Sequence, residues 1–113
     1  MPYDEHLADR IRDVFKSKKV VFEEKKMMGG LCFMVNDKMC VGVMKNKFMA
    51  RVDPAFYPAA LKKKGCHPMD FTGRVLKGFV LVSPAGVDAD DDLGYWMDRC
   101  LEFNPKAKAS KKQ

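Results

Sequence analysis

A chain of 113 residues has the length of one domain and leaves no room for a second core. Its 47% apolar residues suffice for one interior, and no run approaches the roughly 18 apolar residues that a bilayer span requires. The net charge of +6 raises nucleic acid as a partner, but Lys106, Lys108, Lys111 and Lys112 come after Phe103 without an acid, and the 17 basic residues left exceed the 15 acidic ones by only two.

The first residues, Met1-Pro2-Tyr3-Asp4-Glu5-His6, carry acids and lack the basic-then-apolar order of a signal peptide, so the chain is expected in the cytoplasm. Residues 4–16 predict a helix: Leu7, Ile11, Val14 and Phe15 recur on one face, charged residues take the other, and Asp4 is placed to cap it. Val20-Val21-Phe22-Glu23 reads as a short strand, interrupted at Met27-Met28-Gly29-Gly30. Leu31 to Val35, Met39 to Met44 and Phe48 to Val52 read as three further strands, close enough in sequence to form an antiparallel meander.

Asn36-Asp37 between two of these strands suits a two-residue primed turn, since both residues tolerate positive φ. That turn pairs Val35 with Lys38 and Phe33 with Cys40, and sets Cys32 and Cys40 on opposite faces. A three-residue loop would put them on the same face; the shorter loop is favoured. Four cysteines, none in C-x-x-C spacing and none with a secretion signal ahead of it, point to free thiols rather than disulfides or a zinc ribbon.

Asp53-Pro54 is a helix start, but Pro58 interrupts the segment, so the main middle helix is expected from about Tyr57 to Lys64, closed by Gly65. Residues 66–74, with Pro68 and Gly73, read as irregular; Lys77 to Ser83 reads as the last strand. Leu93, Trp96, Met97, Cys100 and Leu101 define a final helix, capped by the acids at 88–92 and stopped at Asn104-Pro105. Runs of strands between helices indicate an α+β domain over residues 1–104: an antiparallel sheet of about five to six strands carrying an N-terminal, a middle and a C-terminal helix. Residues 105–113 read as a disordered lysine-rich tail able to touch nucleic acid weakly and non-specifically.

No catalytic constellation emerges, and no enzyme activity is expected. Cys66-His67 is the one thiol beside an imidazole, and adjacent residues rarely face each other, so Cys66 reads first as a small loop residue and only second as a reactive thiol. The acids at 88–92 resemble the start of a calcium loop, yet Leu93 and Arg99 stand where its sixth-position Gly and twelfth-position Glu are required, so no metal site is implied. Met28-Gly29-Gly30 precedes a strand, not the helix N-terminus that a phosphate cradle needs, and reads as a structural turn or bulge; no cofactor is implied. Lys62, Lys63, Lys64, Arg74 and Lys77 could form a basic patch, with a solvated face as the plainer reading. Nine methionines cluster on or beside the meander; they fill a core, or leave a partly exposed patch that would bind protein.

Met27-Met28-Gly29-Gly30-Leu31-Cys32-Phe33-Met34, the hairpin through Met39-Cys40-Val41-Gly42-Val43, Arg51-Val52-Asp53-Pro54, Pro68-Met69-Asp70-Phe71-Thr72-Gly73-Arg74, Lys77-Gly78-Phe79-Val80-Leu81-Val82 and Trp96 stand in an order that resembles the TfoX N-terminal domain family, also called TfoX/Sxy. The resemblance spans roughly residues 4–104, with Met28 where the family commonly has Phe. It implies helices packed on an antiparallel sheet and brings no catalytic residues. Two-domain relatives regulate natural competence in some bacteria; this chain ends after the first domain, so that role does not simply transfer. Three functions stay open: a non-catalytic regulatory or adaptor domain binding protein, a homodimer included; a nucleic-acid-associated regulator using its basic tail and patch; and a small-molecule or thiol-redox site around Cys66-His67.

Overall fold

Asp4 opens the first helix, α1 (Glu5–Ser17), because its carboxylate accepts from the His6 and Leu7 backbone N–H groups at 2.9 and 3.2 Å. The computed structural model describes residues 3–27, 30–71 and 74–107, the side chains of 27, 70–71 and 74–77 excepted. Leu7, Ala8, Ile11 and Phe15 are buried along one side of α1. Six strands come next: β1 (Glu23–Met27), β2 (Gly30–Val35), β3 (Lys38–Met44), β4 (Lys47–Arg51), then, after the short helix α2 (Tyr57–Ala60), β5 (Cys66–Phe71) and β6 (Arg74–Val82). The turn α3 (Pro84–Val87) leads into the long helix α4 (Asp90–Phe103) and a closing 3-10 turn at Asn104–Lys106. The six strands all pair antiparallel in the spatial order β1-β2-β3-β4-β6-β5, and an isolated parallel bridge joins Tyr3 to Lys45, so the expected α+β sheet with helices is what forms.

The first strand starts later than its apolar residues suggest. Val20 to Phe22 closes the exit from α1 instead: the Val20 N–H donates to the Phe15 carbonyl at 2.9 Å and the Phe22 ring stacks on Phe15 at 4.9 Å. Pairing begins at Glu23, opposite Met34. The strand itself, Glu23-Glu24-Lys25-Lys26-Met27, is mostly charge, which suits an edge strand that must not recruit another.

Asn36 and Asp37 form the expected two-residue turn, both at positive φ, and Val35 pairs with Lys38. Phe33, however, faces Val41 rather than Cys40, because a bulge between Phe33 and Met34 leaves Cys40 as the extra residue. Cys40 and Val41 both enter the helix-side core, while Cys32 belongs to the other face, so the two thiols are separated as expected by a different register. All four cysteines are free and buried.

Two other expectations need correction. The middle helix ends at Ala60, not Lys64: the next hydrogen bonds are Lys62 N–H to Ala59 O and Lys63 N–H to Ala60 O, the tighter 3-10 pattern, before Gly65 turns the chain at φ 76°. The segment from Cys66, read as irregular because of Pro68, is strand; β5 lies at the sheet edge, where a missing N–H costs nothing, and its register shifts between Pro68 and Asp70. At the other end, Ala89 rather than an acid occupies the α4 N-cap, with Asp90, Asp91 and Asp92 in the first turn where the helix dipole favours them. Order continues past residue 104, and Ala107 is buried.

The main core lies between the sheet and α1 and α4, around Phe15, Phe33, Phe48, Trp96 and Met97. Against the expectation of a single core, a smaller buried cluster of Cys32, Met34, Met39, Met49 and Met69, with Phe79 and Leu81 packed on it, occupies the opposite face of the same sheet. No helix among the described residues is long and apolar enough to cross a membrane.

Candidate functional site

Of the two readings of the methionine cluster, core filling is the one that Met34, Met39 and Met49 follow: all three are buried beside Met69, while Met44 is only partly buried. The sheet edges offer no alternative, since β1 is charged and β5 carries Pro68 and a bulge. Of the Met28-Gly29-Gly30 motif, Met28 and Gly29 lie outside the described residues. Gly30 begins β2, and a Cβ there would run into the Val43 carbonyl oxygen, so its role is close backbone approach between β2 and β3.

The five basic residues do not converge. Lys62, Lys63 and Lys64 are exposed on the turn beside Cys66, which pairs with Val82; Arg74 pairs with Phe71 at the far end of the same hairpin. The nine-residue strand β6 separates those ends by roughly 25 Å at about 3.4 Å per residue, with Lys77 in between. Cys66 is buried at the head of β5, and that burial pushes its thiol up to about 11, the direction opposite to activation. His67 comes next, on the exposed side of the strand. No three His, Cys, Asp or Glu side chains among the described residues form a group able to hold a metal ion.

The surface that does concentrate recognition chemistry joins the segment around α2 to the outer side of α4. Tyr95, half-buried, carries Lys63 Nζ over its ring at 4.3 Å and Arg99 Cζ at 5.1 Å. Phe56 and Trp96 pack against Tyr95 at 6.5 and 6.1 Å between ring centres, which fixes the ring. An open concavity of about 370 Å³ lies to one side, lined by Asp53, Phe56, Arg99, Glu102, Phe103 and Lys106. Another of about 420 Å³ involves Lys62, Lys63, Lys64, Tyr95 and Trp96. Arg99 Nη2 donates to Glu102 at 2.8 Å, whereas its Nε is buried without an acceptor.

Helical spacing puts Trp96 in the core and Lys62–64 read as basic, but Tyr95 and Phe56 draw no notice in the sequence and Arg99 enters only as the wrong residue for a calcium loop. Their only sequence signal is an aromatic beside the buried stripe of α4 with a cation four residues on, which share a helix face.

Six antiparallel strands with α1 and α4 on one face define an α+β domain whose most chemically varied surface is a cationic, aromatic face beside α4. Over residues 18–104 the chain matches the family model described as the TfoX N-terminal domain, and it belongs to that family. No curated protein and no solved structure matches it.

Proposed function

We propose that this domain is a non-catalytic regulatory or adaptor module of the cytoplasm that works by binding protein, through the face formed by Phe56, Lys63, Tyr95 and Arg99. The observation that carries the reading is the Tyr95 ring held between its aromatic neighbours and two cations, beside two open concavities. Rigid aromatics and Arg dominate binding energy at protein interfaces, and here they are already ordered, so little entropy is lost on docking. Lys62, Lys63, Lys64, Arg99 and Lys106 outnumber Asp53, Asp92 and Glu102 around those concavities, which favours an acidic partner segment. The family's association with regulators of competence and transcription fits a module of this kind.

The test is affinity capture from the native host with the wild-type chain beside a Lys63→Glu/Arg99→Glu variant, then titration of the captured protein in purified form. The wild type should retain a partner that the variant loses, with binding that weakens as salt rises. Equal capture by both chains, or retention of nucleic acid alone, overturns the proposal.

A further inference from the structure

The two hollows beside α4 differ in chemistry. In the one that Tyr95 lines, Lys62, Lys63 and Lys64 stand against a single acid, Asp92. In the other, Arg99 and Lys106 are matched by Asp53 and Glu102. Both of those carboxylates are already engaged: Asp53 accepts from the Ala55 N–H at 2.9 Å, and Glu102 accepts from Arg99 at 2.8 Å. The remaining walls of that hollow are apolar, from Ala55 and the half-buried rings of Phe56 and Phe103.

The hollows adjoin. The Tyr95 ring lines the first and the Phe56 ring the second, and those rings lie 6.5 Å apart. Along α4, Asp92, Tyr95 and Trp96 line the first, and the residues seven further on, Arg99, Glu102 and Phe103, line the second. Seven residues of helix span about 10 Å at 1.5 Å per residue.

We infer that this face reads a two-part signature in an extended segment of its partner: a run of acidic residues against Lys62–64 and, about three residues along the chain, one large apolar side chain in the hollow of Phe56 and Phe103. The inference rests on the binding face proposed above and specifies what that face recognises. Exposed lysines steer and select carboxylates, but water and salt screen them. A desolvated apolar anchor supplies the larger share of binding energy. An extended chain can drop a side chain on each side of the Phe56–Tyr95 pair, whereas a helix about 10 Å across would rest on top of it. Single-stranded nucleic acid is the competing occupant, since it also combines cations with aromatic stacking. Asp53 and Glu102 argue against it, because they set negative charge around the very rings on which bases would stack.

The test is fluorescence anisotropy of the full chain with short dye-labelled peptides in which three glutamates and one tryptophan are separated by a Gly-Ser pair, made in both orders. One order should bind, and should weaken at least tenfold when its tryptophan becomes alanine or its glutamates become glutamine. Phe103→Ala, and Ala55→Trp, which fills the hollow from an exposed position, should weaken the tryptophan peptide but not its alanine counterpart. Lys62→Glu/Lys64→Glu should weaken the glutamate peptide and remove its salt dependence, and should leave the glutamine peptide unchanged. Such matched losses are coupling between specific pairs, which general destabilisation does not produce. Binding that ignores the tryptophan, or tryptophan binding that neither Phe103→Ala nor Ala55→Trp alters, overturns the inference while an acidic partner for this face still stands. Failure of both peptide orders to bind overturns it too, and capture from the host then judges the face itself. Tighter binding of a labelled single-stranded oligonucleotide of equal length at the same salt also overturns it.

Discussion

Asn104 holds Asn36 across 68 residues of chain: its Oδ1 accepts from the Asn36 side-chain amide at 2.9 Å, while its own amide donates to the Val35 carbonyl at 3.1 Å. Asn104 is only 3% exposed, the one buried polar side chain among the described residues, and Lys38 Nζ adds a bond to its backbone carbonyl at 3.1 Å. The end of α4 is thereby fastened to the tip of the β2–β3 hairpin. Asn104→Leu removes both side-chain bonds and leaves the Val35 carbonyl without that donor, which should cost about 1–3 kcal/mol. For a domain of this size that corresponds to a fall in Tm of several degrees, read by thermal unfolding. Asn36→Gly keeps the positive φ and loses one bond, so it should cost less. Equal stability of Asn104→Leu and wild type would show the clamp to be inert.

Gly30 gives a sharper test of the motif that carries the family resemblance. A methyl group there meets the Val43 backbone oxygen, which cannot yield as a flexible side chain could. Gly30→Ala should therefore destabilise by about 1–3 kcal/mol through overpacking, or shift the β2–β3 register. Denaturant unfolding measures the first and backbone amide shifts the second. A variant that unfolds with the wild type and keeps the same shifts would remove close approach as the reason for Gly30.

Arg12 ties α1 to the edge strand. Its Nε and Nη2 donate to both oxygens of Glu24 at 2.6 and 2.9 Å, a two-point bridge, and its Nη1 reaches Asp9. The hydrogen bonds from Arg12 hold the Glu24 carboxyl below its ordinary 4.5. A carboxyl depressed in the folded state binds protons more readily in the unfolded chain, so its stabilisation is complete above 4.5 and is lost as pH falls through the lower folded value. Glu24→Gln should cost about 0.2–1 kcal/mol at neutral pH, the range for partly exposed pairs, and the gap from wild type should close under acid conditions. Urea unfolding of both chains across the acid range checks this; a gap that widens as pH falls would contradict the sign.

The features legible in the sequence were those set by local chemistry. The α4 stripe of Leu93, Trp96, Met97 and Cys100 came from helical spacing, and the Asn36-Asp37 turn from residues that accept positive φ. The bulge at Cys40 was hidden because one unpaired residue leaves the apolar pattern almost unchanged. Pro68 suggested a break, since whether its missing N–H matters depends on β5 being at an edge, which only the tertiary arrangement decides. Asn104 read as a helix stop, yet its burial comes from a hairpin tip far away in sequence. The candidate face was half visible for the same reason: Lys62–64 could be counted, but Tyr95 and Arg99 meet Lys63 only after folding.

The thiols provide the remaining prediction, which also tests the redox reading of Cys66-His67. Burial raises Cys66 from the ordinary 9.0 to about 11, and Cys40 to about 12. At a given pH below 9, native Cys66 should hold roughly a hundredfold less thiolate than an unperturbed cysteine and alkylate correspondingly slowly. In denaturant all four cysteines should react at the rate of a free thiol. The same shifts make the fold less stable in alkali: the unfolded chain releases thiol protons that the folded chain retains, so unfolding becomes easier as pH rises past 9.0. Alkylation read by mass spectrometry, with and without denaturant, measures site-specific rates. A native Cys66 that reacts faster than a peptide thiol, with a rate profile that turns over below 9, would reverse this prediction and make Cys66-His67 the chemical centre of the domain.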